Sequence, residues 1–277
     1  MSIEDIRDLF YLGYYNKVID AGSSIRDNEE VEYMMAYSYL SLKQVDFVLN
    51  KGETTPVRKG ACLFGRCLKL EGDKEKILEI LSNEIDQDMI SNSCYYAIFA
   101  AIVNIKIKDY YEALKILNKF DDQNVSVIRI QALLGINRVD LAEYELKQIT
   151  NGISNTVAKT YVGLIKGEEE TKAALFSLLD LYDRYQDSPV ILNLMVACHY
   201  AVGEWENGQN IVSILHDKFN NDPSVDINYA IGLSHSSEFS KFKTQISLVK
   251  NYKNSYNSSI LSMLKDFDKT AENLETQ

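Results

Sequence analysis

Residues 190–215, "VILNLMVACHYAVGEWENGQNIVSIL", contain the only tryptophan of the chain. An apolar run that reads as a helix ends at a Gly-Glu pair, Trp205 follows, and a second amphipathic run begins. A Trp in that place points to two helices packing at a corner rather than to a catalytic pocket. Corners of the same kind fall at Tyr15 in "YLGYYNKVID", Val45 in "LSLKQVDFVL", near Lys74 in "KLEGDKEKILEIL" and at Tyr110 in "IKIKDYYEALKIL". Further ones fall at Val139 in "LGINRVDLAEYELKQI", near Thr171 in "IKGEEETKAALFSLL", and at Phe239 in "SHSSEFSKFKTQISLV".

The steps between successive corners are 30, 29, 36, 29, 32, 34 and 34 residues. A helix–turn–helix unit repeating near 34 residues is the signature of tetratricopeptide (TPR) repeats. Ala113 stands three residues after Tyr110, and Ala142 three after Val139. Ala36, Gly65, Ala101 and Ala230 stand nine before their corners. Small residues at both places allow two antiparallel helices to approach closely, and the corner side chain then fills the gap within its own hairpin. The fold expected is all-α, a TPR-like right-handed α-solenoid of about eight helical hairpins, because each amphipathic pair must stack on its neighbours. It forms one domain over residues 1–277, with repeats over about 2–255, a C-terminal capping helix over about 257–273 and a frayed tail at 274–277. Ser2 and Asp5 read as a capping box that opens the first helix.

Composition agrees with that class and narrows the function. Only 3 Pro and 13 Gly serve 277 residues, few for a sheet-rich fold. The net charge of −11, with no basic run longer than a pair, argues against nucleic acid and against electrostatic attachment to an acidic membrane. No stretch approaches the roughly 20 apolar residues of a spanning helix, and the N-terminus lacks a secretory signal. The four cysteines are scattered, which suits a reducing cytosol, so the sequons at Asn124 and Asn257 read as chance matches.

No constellation for catalysis or metal binding is legible. His199, His216 and His235 lie apart, and no pair has the spacing of a helical metal site. Cys198 reads as a small buried hydrophobe, and no nucleotide-loop or nucleophile-elbow motif occurs. The acidic runs at 27–32 and 167–170 read as helix starts that complement the macrodipole. The chain is therefore read as a non-enzyme, with no catalytic residue, metal or cofactor.

Solenoids of this type hold a partner segment on the concave surface lined by first helices. Positions twelve and eight before each corner face that groove, which nominates Tyr33, Tyr37, Arg66, Ile98, Ile102, Val127, Gln131, Asn193, Ala197, Ile227 and Ile231. Lys159 is the only lysine in the first of these slots, and Gly163 follows it in the second. The Lys/Asn carboxylate clamp of chaperone-binding repeats is thus missing. The list is mixed apolar and aromatic, which fits a long-lived, largely apolar contact. Tyr15, Tyr110, Ala113, Val139, Ala142, Gly203 and Trp205 are nominated as structural repeat positions.

Several segments resemble the epsilon subunit family of coatomer, the COPI vesicle coat. "DLFYLGYYNKVID" resembles its opening helix pair. Arg138, Asp140, Leu141, Ala142, Glu145, Leu146 and Lys147 match its R-x-D-L-A-x-x-E-L-K segment. Ala197, Cys198, His199, Gly203, Trp205 and Glu206 match its A-C-H-x-x-x-G-x-W-E segment, whereas Asn207-Gly208 replace the small alanines usual there. The likeness runs in order along nearly the whole chain. It implies a non-catalytic coat subunit that curls around the C-terminal region of the alpha subunit, within a coat recruited to Golgi membranes by a small GTPase. Such a subunit would be cytoplasmic and peripheral, and would serve Golgi-to-ER retrograde and intra-Golgi transport. The competing reading is a different TPR adaptor, a chaperone co-factor or an assembly scaffold.

Overall fold

The computed structural model describes residues 1–249 apart from 71, 72, 151, 220 and 221. The expected capping helix and frayed tail lie outside the described residues. Every regular element found is a helix, and sixteen of them pair into eight antiparallel hairpins. These are α1 (Ile3–Tyr11) with α2 (Tyr15–Gly22), α3 (Glu29–Ser41) with α4 (Val45–Asn50), and α5 (Pro56–Lys69) with α6 (Lys74–Glu84). After a short α7 (Gln87–Asn92) come α8 (Cys94–Lys106) with α9 (Tyr110–Leu117), and α10 (Gln123–Gly135) with α11 (Val139–Leu146). Then follow α12 (Gly152–Lys166) with α13 (Glu168–Tyr182), α14 (Pro189–Ala201) with α15 (Trp205–Lys218), and α16 (Pro223–Ser234) with α17 (Phe239–Val249). Among the described residues the chain is an all-α solenoid.

Local chemistry sets these boundaries. All three prolines, Pro56, Pro189 and Pro223, open first helices, where the missing N–H costs nothing. Ser2, Asn28, Thr55, Asp73, Ser93, Asp109 and Ser188 each accept a backbone N–H of the following turn. Ser2 and Asp5 form the reciprocal capping box.

Five hairpins turn by one motif. In the first, the Tyr14 N–H donates to the Leu9 carbonyl and the Gly13 N–H to that of Phe10, closing a Schellman turn. The left-handed residue is Gly13 at φ 78°, and its counterparts are Lys43, Lys108, Asn137 and Gly203 at 61°, 65°, 59° and 81°. Two residues after it, the corner residue opens the second helix.

Two departures from strict repetition stand out. The 36-residue step contains the extra helix α7. In the sixth unit, Gly167 at φ 137° lets α13 begin at Glu168, three residues before the expected corner. Thr171 is instead buried within α13 and donates its hydroxyl to the carbonyls of Gly163 and Gly167.

Corner side chains reach beyond their own hairpins. Trp205 stacks on Tyr200 of α14 at 5.1 Å and on His235, at the end of α16 in the next hairpin, at 3.5 Å. Tyr110 lies against Gly135 of α10, where a Cβ would come 2.5 Å from its ring. Trp205 and Tyr110 therefore each tie one hairpin to the next.

The curl is tight enough to bring the first hairpin against the middle of the chain. Leu12 is completely buried in an apolar cluster with Ile153, Val157, Leu178, Leu181 and Ile191. The Ser188 hydroxyl donates to the Leu12 carbonyl at 2.7 Å across 176 residues of sequence. Tyr11 donates to Asn124 Oδ1 at 2.8 Å, and Asn124 donates to Glu30, which also accepts from Arg7.

Candidate partner-binding site

First helices carry the candidate positions on their inward faces, but the tight curl divides those positions into two groups. Tyr33, Ile98, Ile102 and Val127 are buried within the chain. Tyr33 stacks on Tyr95 at 5.2 Å and meets Phe99 at 5.3 Å and Phe10 of α1 at 5.7 Å. In the N-terminal half the inward faces thus pack on one another and on α1, and in this conformation they face their own chain. Arg66 is half-buried between Glu53 and Glu84, at 2.7 and 2.6 Å.

The second group remains accessible. Tyr37, Ala197, Ile227 and Ile231 are half-buried, Gln131 is exposed, and Asn193 accepts from Asn228 at 2.7 Å. Among the structural positions, Ala113 and Ala142 have no exposed surface, and Gly203 occupies its left-handed turn. Tyr15, Tyr110, Val139 and Trp205 each open a second helix.

The rings of Tyr15 on α2 and Tyr37 on α3 lie 6.5 Å apart, and the phenol of Tyr161 on α12 is near enough to act on both electrostatically. Burial raises all three pKa values, and the ionised neighbours add to the rise at Tyr37 and Tyr15. Asp222, the cap of α16, acts on Tyr15 in the same direction. Tyr161 keeps 39 % of its surface accessible, although burial raises the pKa of its phenol. The candidate site is therefore a cluster of tyrosines from α2, α3 and α12. Its rings offer apolar area and its hydroxyls can both donate to and accept from a polypeptide backbone.

Tyr161 was not among the groove positions read from spacing. The expected sixth corner nominated Lys159 and Gly163, and the observed helix start at Glu168 moves those positions to Thr156 and Thr160, so the spacing rule does not reach Tyr161 from either. Among the described residues, no group of three His, Cys, Asp or Glu side chains stands together to hold a metal ion. None of the helices described is long and apolar enough to cross a membrane. His199 Nδ1 lies 2.7 Å from Glu204 and so braces the seventh turn.

A curled stack of helical hairpins defines a class, the α-solenoids. The family model for the coatomer epsilon subunit matches residues 3–276. Coatomer subunit epsilon-1 of Oryza sativa subsp. japonica is 22 % identical over 253 residues, covering 88 % of each chain. Coatomer subunit epsilon of Dictyostelium discoideum is 25 % identical over 225 residues, covering 74 % of this chain and 75 % of its own. The epsilon-1 subunit of Arabidopsis thaliana is 22 % identical over 256 residues, with 88 % and 87 % covered. The chain belongs to the coatomer epsilon subunit family, and thus to the subunits of the COPI coat.

Proposed function

We propose that this chain is a non-catalytic structural subunit that wraps around and stabilises the C-terminal region of the coatomer alpha subunit. The cluster of Tyr15, Tyr37 and Tyr161, read as lining a hollow on the concave side of the stack, supports that reading, because it presents partly accessible rings and hydroxyls together. Ala197, Ile227 and Ile231 on α14 and α16 extend it with half-buried apolar area. A segment of the alpha subunit seated there displaces water from the rings and pairs its backbone with the hydroxyls. The chain acts in the cytoplasm, peripheral on Golgi membranes and COPI vesicles. It reaches them through the rest of the coat and the small GTPase that recruits it, and serves retrograde and intra-Golgi transport.

Copurification tests the assignment: tagged chain should bring down the alpha subunit and the other coat subunits in stoichiometric amounts. Tyr161→Ala should weaken binding of a C-terminal fragment of the alpha subunit by about tenfold or more while leaving the melting temperature nearly unchanged. Undiminished binding by that variant would remove the hollow from the partner surface.

A further inference from the structure

We propose that the curled solenoid opens along one seam, between α1 and the helices α10, α12 and α14, ahead of the rest of the fold, and that this opening admits a partner segment to the hollow. The route rests on the function proposed above; the seam itself does not.

Elsewhere, consecutive hairpins meet through continuous apolar faces and interlocking corners. The seam is built differently. Its apolar part is a small cluster, Leu12 inserted among residues of α12, α13 and α14 with Tyr11 and Tyr14 packed beside it. The rest is polar: Ser188 to the Leu12 carbonyl and Tyr11 to Asn124. Water can replace each of these bonds when the surfaces part, whereas it cannot replace buried apolar contact. Packing beside the Leu12 cluster is also incomplete. A cleft of about 420 Å³ separates α1 from α12 and α13, with Thr156, Ser177, Asp180 and Arg184 in its walls.

Geometry makes this the natural place to part. Most other interfaces join hairpins that are consecutive in the stack, so separating them breaks the solenoid; the meeting of Tyr33 on α3 with Tyr95 on α8 is an exception within the N-terminal half. The seam joins the first hairpin to units five to seven, and parting it only relaxes the curl, a small rotation shared among many hairpins. Segments with few buried apolar contacts open locally at less cost than the global fold.

The seam can be read and locked. Leu12→Cys places a thiol at its centre, and the native Cys67, buried on α5 away from the seam, serves as the reference. Maleimide should label residue 12 about tenfold or more faster than Cys67. Adding Ser188→Ala and Tyr11→Phe should speed that labelling further without changing Cys67. Labelling of both thiols at one common rate, or equal acceleration of both, would show that the seam opens only with global unfolding.

For the lock, a Cβ on Gly13 lies 2.9 Å from Val190 Cγ2, so Gly13→Cys with Val190→Cys brings two thiols within disulfide reach. Failure of that pair to oxidise would contradict the seam. The oxidised protein should bind the alpha-subunit fragment about tenfold or more slowly, with recovery on reduction. Equal association rates for both forms would overturn the gate. Absence of binding in both would instead count against the proposed function, leaving the labelling result to decide the seam.

Discussion

At the left-handed turn positions, Gly13 and Gly203 have nearly the same φ but different surroundings. A Cβ at Gly203 would meet nothing within 4 Å, whereas one at Gly13 would press on Val190 and Pro189 across the seam. Gly203→Ala should therefore cost about 1 kcal/mol, the backbone strain alone. Gly13→Ala should cost about 1–2 kcal/mol more, because packing strain is added. Urea midpoints of the two variants check this, and equal losses would show that Gly13 does not meet α14. The sequence marks both glycines as turn residues in the same way. Only the folded chain separates them, because Val190 lies 177 residues away from Gly13.

Elements are joined by side chains that serve more than one helix. Arg129 on α10 lies 3.0 Å from Glu145 of α11 and also donates to the carbonyls of Leu117 and Phe120 at the end of α9. Glu145 accepts from Ser126 as well, at 2.9 Å. Arg129→Ala leaves a largely buried carboxylate and two carbonyls unpaired, so it should cost about 2–3 kcal/mol. Glu145→Gln should cost less, since the amide oxygen still accepts. Thermal melts of the two variants give the order, and a neutral Arg129→Ala would refute the linking role. At the crossing of α10 and α11, Ala142 has no exposed surface, and Ala142→Leu should overpack it by about 1–3 kcal/mol. An unshifted circular-dichroism melt would argue against a close crossing there.

At this scale most of the architecture was legible, because corner spacing repeats whatever the local residues are. Tyr15, Val45, Lys74, Tyr110, Val139, Trp205 and Phe239 each open a helix. The sixth corner was not legible, because an abrupt glycine link replaces the polar turn used elsewhere. Helix α7 was hidden as well, its six residues being too short to show a period and leaving only a long step between corners.

Over the whole molecule, burial and surface pairing set opposite pH limits. Asp140, held to about 2 by Arg138, and Asp86, lowered by the Met89 N–H and by Lys59, have folded pKa values below the unfolded 3.8. Their contribution is present above about pH 4 and is lost as pH falls through the folded values. The phenols of Tyr11, Tyr33, Tyr37 and Tyr95 are raised above their ordinary 10.0, chiefly by burial. Their contribution is complete below about pH 10 and is lost as pH rises towards the folded values. The melting temperature should hold across neutral pH and fall steeply above about pH 10, with phenolate absorbance rising in the same transition. A melting temperature unchanged to about pH 11 would show that these phenols are solvated.

The sequence nominates groove positions without showing which of them the chain fills itself. Nothing around Leu12 announces partners at Ile153, Val157 and Ile191, since a contact across the curl leaves no periodic trace. For the same reason Tyr33 and Ile98 read as groove residues, although their neighbours are other parts of the chain.

Burial of Leu12 also fixes an order of events on the ribosome. Its apolar neighbours are translated about 140 residues later or more, roughly 7–30 s at ordinary elongation rates. Throughout that interval the nascent amino-terminal hairpin has an uncovered face, so the first element synthesised is among the last to settle.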